Sequence, residues 1–202
     1  MLKNIRCYSM AEKSSNLEEV VAAFHAPIRF AAAYGSGAFP QNGYNDKVAG
    51  KDTMVDFIFG VTHPVHWHSL NMRQNPTHYS YLKHFGATAV SRVQDKYGGK
   101  IYYNTNVVVS GNRIKYGVIS IDSLLKDLTD WETFYVAGRM QKPVRILRED
   151  ARVRLASSVN LMNALRVSLL MLPESFSEEE LFLRIAGLSY KGSNYLIKVI
   201  LE

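Results

Sequence analysis

Residues 31–61 read AAAYGSGAFPQNGYNDKVAGKDTMVDFIFGV. A small-residue turn, Tyr34-Gly35-Ser36-Gly37, leads through a polar loop to an apolar run that a single acid, Asp56, interrupts. Gly35 and Gly37 let the backbone turn tightly and approach a ligand with no Cβ in the way. Backbone N–H groups at such a turn, with the Ser36 hydroxyl beside them, form a cradle for phosphate. Met54-Val55-Asp56-Phe57-Ile58-Phe59 reads as a buried strand bounded by Gly60. Burying its carboxylate alone is costly, and a metal ion is a partner that offsets the cost. A phosphate turn facing a metal-binding carboxylate is the minimal kit for nucleotidyl transfer.

The flanking sequence supports an α+β arrangement. Residues 16–26 predict a helix with Asn16 as N-cap and Glu18 and Glu19 in the favourable first turn. Pro27 ends it, and residues 28–33 lead as a strand into the glycine turn. After Gly60 come three histidines in six residues, His63, His66 and His68. With no HExxH pattern and no nearby cysteine, they suit capping or substrate contact better than a zinc site. Pro64 fits the first turn of a helix, which places His68 one turn on, over the glycine-rich side.

Asn75-Pro76 breaks that helix, and a second is expected over 76–96. His78, Tyr81, Leu82 and Phe85 share its apolar face, and His78, near its start, is kept as a candidate substrate contact. Residues 101–109 and 113–119, joined by Ser110-Gly111-Asn112, read as a β-hairpin carrying Lys115 in its second strand. Asp122 caps the helix 123–130 or acts as a second metal carboxylate. Residues 131–144 read as a strand and a turn, in which Arg139 and Lys142 are candidate phosphate clamps.

A domain boundary is expected near 145–150. Beyond it Leu155, Val159, Met162, Leu165 and Leu169 recur at helical spacing and predict a helix. Pro173 stops that helix, Ser177 before Glu178-Glu179-Glu180 caps another to about Ala186, and residues 195–201 read as a strand.

Composition bounds the function. With 202 residues, 47% of them hydrophobic, the chain can bury one large core or two small ones. No apolar run approaches the roughly 18–20 residues that span a bilayer, so membrane contact would be peripheral. The single cysteine, Cys7, excludes an internal disulfide framework and a multi-cysteine zinc site. The first ten residues lack the apolar core of a secretory signal. A net charge of +6, concentrated between Arg139 and Arg154, favours polyanionic partners.

Taken together, YGSGAFPQNGY (34–44), VDFIFGVTHPVHWHSLNMRQNPTHYSYLKHFG (55–86), KYGVIS (115–120), LLKDLTDWETFYVAGRMQKPV (124–144) and GLSYKG (187–192) closely resemble the mitochondrial CDP-diacylglycerol synthase family, also called the mitochondrial translocator assembly and maintenance family. The resemblance implies a phosphatidate cytidylyltransferase: CTP and phosphatidic acid give CDP-diacylglycerol and pyrophosphate, in cardiolipin synthesis. It implies Mg²⁺ as cofactor, peripheral contact with an anionic membrane on the matrix side of the mitochondrial inner membrane, and no nucleic-acid partner. The fold it implies is a polymerase-β-type nucleotidyltransferase domain over 1–147, then a small helical winged-helix-like domain over 148–202, shortened at its C-terminus relative to the family.

In that superfamily the motif is Gly-Ser followed by Asp-x-Asp on a strand. Gly35-Ser36 and Asp56 match, but Met54 and Ile58 stand where a second acid would be, leaving Asp52 and Asp122 as alternatives. Tyr34, Gly35, Ser36 and Gly37 would hold the nucleotide. Asp56 and Lys115 would be catalytic, and His68, His78, Arg139 and Lys142 would contact phosphate or substrate. Two rival functions remain open: a non-catalytic assembly factor with a degenerate site, and a nucleotidyltransferase acting on protein or RNA.

Overall fold

Residues 16–39 and 54–190 are described by the computed structural model. Cys7, Asp52 and the expected strand 195–201 lie outside the described residues, as do parts of the 34–44 and 187–192 motifs. The element order is α1 (16–22), β1 (Phe30–Tyr34), β2 (Val55–Val61), α2 (Pro64–Gln74), α3 (Gly86–Lys96), β3 (Ile101–Val109), β4 (Asn112–Ser120), α4 (Ile121–Asp130), α5 (Tyr135–Met140), β5 (Val144–Arg148), α6 (Ala151–Leu170) and α7 (Glu178–Gly187). The strands form one mixed sheet in the order β3-β4-β2-β1-β5, with β2 and β4 parallel and the other pairs antiparallel. Helices and a mixed sheet make the α+β class.

Contacts divide the chain into two compact units. Among the described residues, the first takes those up to Ser120 together with Val144–Glu149; the second takes Ile121–Pro143 and those from Asp150 to Tyr190. A single boundary at 147 is what the sequence suggests, but the chain leaves the sheet after β4 and returns once. It returns because β5 hydrogen-bonds to β1, pairing Tyr34 with Val144 and Ala32 with Ile146. Such a long-range edge pairing leaves no trace in local composition.

In the first unit, alternate residues of the central strands (Ala31, Ala33, Phe57, Phe59, Tyr116, Val118) share one face with Leu17, Val20 and Val21 of α1, with Phe24, and with Trp67 of α2. Phe24 anchors it edge-on to both Phe59 and Tyr116, each at 5.1 Å between ring centroids. Asn16 is already helical and its Oδ1 accepts from Asn112 Nδ2, so it serves as a tether to the hairpin and not as a cap.

Two local expectations fail. The helix expected over 76–96 is two short 3₁₀ turns, Pro76–His78 and Tyr81–Phe85, before α3. Gly86 adopts φ +80°, a conformation that a continuous helix cannot contain. Tyr81 and Phe85, expected on a core face, are 75% and 67% exposed. The segment 131–144 contains a helix, α5, where a strand was expected. Asp127 accounts for it: one carboxylate oxygen accepts from the Thr133 and Phe134 amides and the Thr133 hydroxyl, the other from the Val136 and Ala137 amides, all at 2.7–2.8 Å. The orphan donors at the start of α5 are thereby satisfied.

In the second unit the helix expected beyond the boundary is present as α6. Leu155, Val159, Met162 and Leu169 of α6 are exposed, whereas Val153, Ala156, Asn160, Ala164 and Ser168 are buried. Small side chains let α4 approach closely. Asn160 satisfies the local polar groups, donating to Ala137 O and accepting from Trp131 Nε1 and Gln141 Nε2. The capping box of α7 is as the sequence predicts, with Ser177 and Glu180 bonding each other's backbone N–H groups. No helix among the described residues is long and apolar enough to cross a membrane.

Candidate active site

Strand register decides the site. Tyr34 pairs with Asp56 across β1 and β2, and Asp56 pairs with Lys115 across β2 and β4. Cross-strand partners project to the same face, so the three side chains form a row. Their neighbours Val55, Phe57, Ile114 and Tyr116 alternate to the other face and join the core. The acid and the base therefore stand side by side on the face opposite that core.

The glycine turn begins where this row ends. Gly35, at φ +81°, reverses the chain after Tyr34, and its carbonyl accepts from the Ala38 and Phe39 amides at 3.1 Å. A Cβ at Gly35 would lie 3.2 Å from Asp56 Oδ2, and one at Gly37 would lie 2.5 Å from Met54 O and 2.9 Å from the Val55 Cα. Only glycine lets the turn sit directly on the start of β2, against the carboxylate. Ser36 at its apex is exposed. Tyr34, Gly35, Ser36, Gly37, Asp56 and Lys115 are thus gathered at one end of the sheet.

Tyr103 also belongs to this face, and sequence reasoning missed it. Its ring lies 4.5 Å from Lys115 Nζ, and its hydroxyl meets the Tyr34 hydroxyl at 3.3 Å. In the sequence it is one of two adjacent tyrosines in a hairpin strand. Only the register shift between Asn104 and Val107, which sets its partner as Gly117, distinguishes it.

For a divalent cation the donor set is one carboxylate. Among the described residues no three His, Cys, Asp or Glu side chains group as a metal site. Mg²⁺ is commonly held by one or two carboxylates together with substrate phosphates. Asp56 tucked against the glycine turn fits that mode, in which the nucleotide would complete the coordination. Asp122 is exposed in the first turn of α4, in the second unit.

The histidines lie elsewhere. His68 is fully buried on the core side, away from the glycine turn's face: Nδ1 contacts Tyr79 Oη at 2.8 Å and Nε2 contacts Gln94 Oε1 at 3.0 Å. Gln94 Oε1 can only accept, so Nε2 carries the proton and Nδ1 accepts from the tyrosine. Asn71 Nδ2 donates to both Tyr79 and Tyr116, whose own protons then point to His68 and to Nδ1 of His78. Burial lowers the His68 pKa to about 4, opposed by the Gln94 hydrogen bond, and it lowers that of His78 as well. Burial also raises Tyr79 and Tyr116. These side chains direct one another's protons in a hydrogen-bonded network on the core side of the sheet.

Arg139 and Lys142 belong to the second unit. Lys142 Nζ donates to Ser189 Oγ at 2.8 Å and lies 3.6 Å from the Tyr190 ring centroid, so it braces the end of that unit.

Comparison with known proteins gives the family. The profile of the family described as phosphatidate cytidylyltransferase, mitochondrial, matches residues 17–197. The chain belongs to this family. It is 48% identical over 190 residues to the Schizosaccharomyces pombe protein named mitochondrial phosphatidate cytidylyltransferase, covering 94% of this chain and 48% of that relative. It is 50% identical over 182 residues to the Xenopus laevis protein of the same name, covering 88% and 53%. To the Homo sapiens protein it is 46% identical over 176 residues, covering 86% and 38%. The chain spans about half the length, or less, of these curated relatives of the mitochondrial phosphatidate cytidylyltransferase family.

Proposed function

We propose that this chain carries the nucleotide-binding and catalytic face of a phosphatidate cytidylyltransferase. The observation that carries the reading is the row Tyr34, Asp56, Lys115 with the glycine turn packed onto the carboxylate. Family membership supports the substrates, CTP and phosphatidic acid. The relatives' name supports a mitochondrial location, and we extend it to peripheral attachment at the matrix side of the inner membrane. A polymerase-β-type nucleotidyltransferase core followed by a winged-helix-like unit remains part of the proposal.

In this mechanism a phosphatidate oxygen attacks the α-phosphorus of CTP and pyrophosphate leaves. Phosphatidate is already ionised near neutral pH, so no strong general base is required. The turn 34–37 binds the β- and γ-phosphates, Ser36 offers its exposed hydroxyl, and Lys115 stabilises the charge that builds during transfer. Asp56, with the nucleotide's phosphates, would hold Mg²⁺, which supplies charge neutralisation and polarisation of the phosphoryl group.

The test is incubation of the protein with labelled CTP, Mg²⁺ and phosphatidic acid liposomes. Label should enter CDP-diacylglycerol, and Asp56→Asn should reduce turnover by roughly 10²–10³-fold. Undiminished turnover in that variant would remove Asp56 from the mechanism. Label in RNA or protein would point to a different acceptor, and no turnover at all would favour the non-catalytic assembly role.

A further inference from the structure

We propose that Tyr103 is the positioning residue that fixes Lys115 beside Asp56 and ties it to the glycine turn. This rests on the cytidylyltransfer reading of the same site. β3 and β1 lie three strand spacings apart, roughly 14 Å, with β4 and β2 between them. The hydroxyls of Tyr103 and Tyr34 nevertheless meet at 3.3 Å. The two side chains therefore lean toward each other over β4 and β2, where Lys115 and Asp56 are neighbours.

Gly117 makes the lean possible. It is the cross-strand partner of Tyr103, and a Cβ there would lie 2.6 Å from Tyr103 Cε1. Lys115 is two residues earlier on the same face, with Nζ 4.5 Å from the ring centroid. An aromatic face attracts an ammonium through its quadrupole. The ring adds no opposing charge of its own, so the contact positions the ammonium without forming an ion pair with it. The hydroxyl of the same ring fastens Tyr34, the residue before Gly35. One side chain thus sets the distance between the proposed catalytic cation and the proposed phosphate turn.

The two contacts are separable. Tyr103→Phe keeps the ring and removes the tie; Tyr103→Leu removes both. The Phe variant is expected to raise the KM and Kd for CTP about three- to fivefold, with kcat lowered at most about twofold. The Leu variant is expected to lower kcat by about tenfold as well. In a Lys115→Met background, Tyr103→Leu is expected to leave kcat where Lys115→Met alone put it, since the group it acts through is gone.

Kinetics with CTP and phosphatidate, CTP calorimetry and thermal unfolding are measured on all variants. Additive losses from Lys115→Met and Tyr103→Leu, or a kcat loss that tracks thermal stability and is not rescued by Phe, overturn the proposal. If the protein binds CTP but never turns over phosphatidate, the function fails while the binding cycle still judges Tyr103. If it binds no nucleotide, both fail.

Discussion

Acidification is expected to destabilise the first unit, chiefly through one imidazole. His68 is 0% exposed, and burial, partly opposed by the Gln94 hydrogen bond, lowers its pKa from 6.5 to about 4. The unfolded chain therefore takes up the proton first. Between pH 6.5 and about 4 it binds more protons than the folded chain, so stability rises with pH across that window. The contribution is complete above the unfolded pKa, is lost as pH falls through the window, and changes no further once both states are protonated.

The difference between the two pKa values corresponds to roughly 3 kcal/mol, with a slope approaching about 1.4 kcal/mol per pH unit. That is a large share of the roughly 5–15 kcal/mol usual for a domain. The half-buried His78, whose pKa is also lowered by burial, acts in the same direction. Protonating His68 would also turn Nδ1 from acceptor to donor against Tyr79, and the tyrosine proton would have to turn away. The assay is urea denaturation from about pH 7.5 to about pH 4.5, with amide exchange in α2 isolating the first unit. His68→Gln serves as control: less stable at neutral pH, but with a shallower pH slope. An equal slope in the protein and in His68→Gln, or a His68 ring that titrates near 6.5 by NMR, would refute the reasoning.

Two further outcomes follow from close packing and capping. Gly37→Ala places a methyl 2.5 Å from Met54 O and 2.9 Å from the Val55 Cα. The turn must move off β2, at a cost of about 1–3 kcal/mol; unfolding and CTP affinity should both weaken, and an unchanged CTP affinity would detach the turn from nucleotide binding. Asp127→Ala removes the acceptor of four backbone amides and the Thr133 hydroxyl. It should cost about 3 kcal/mol or more and speed amide exchange at 133–137; protected amides there would show that α5 stands without its cap.

The local chemistry of the site was legible in the sequence because it is written in adjacent residues. A Gly-Ser-Gly turn before an acid-bearing apolar strand needs no distant partner to be recognised, and the Ser177 box and the hairpin turn at Gly111 are equally local. Face and partner were not legible. Nothing local to His68 foretells that α2 packs against the sheet and buries its ring against Tyr79 and Gln94. The spacing in α6 foretold a helix but not its buried face, because helical spacing cannot tell which side a neighbouring helix occupies, and small residues gave α4 its side.

By itself, then, the sequence determined the turn, the acid and the family to which they belong. The neighbours of Asp56 were decided only by the tertiary structure. β-sheet register brings Lys115, about 60 residues away in the chain, level with Asp56, and shifts Tyr103 over Gly117. A one-residue slip would send each of these side chains to the opposite face, and no local pattern in the sequence states the register.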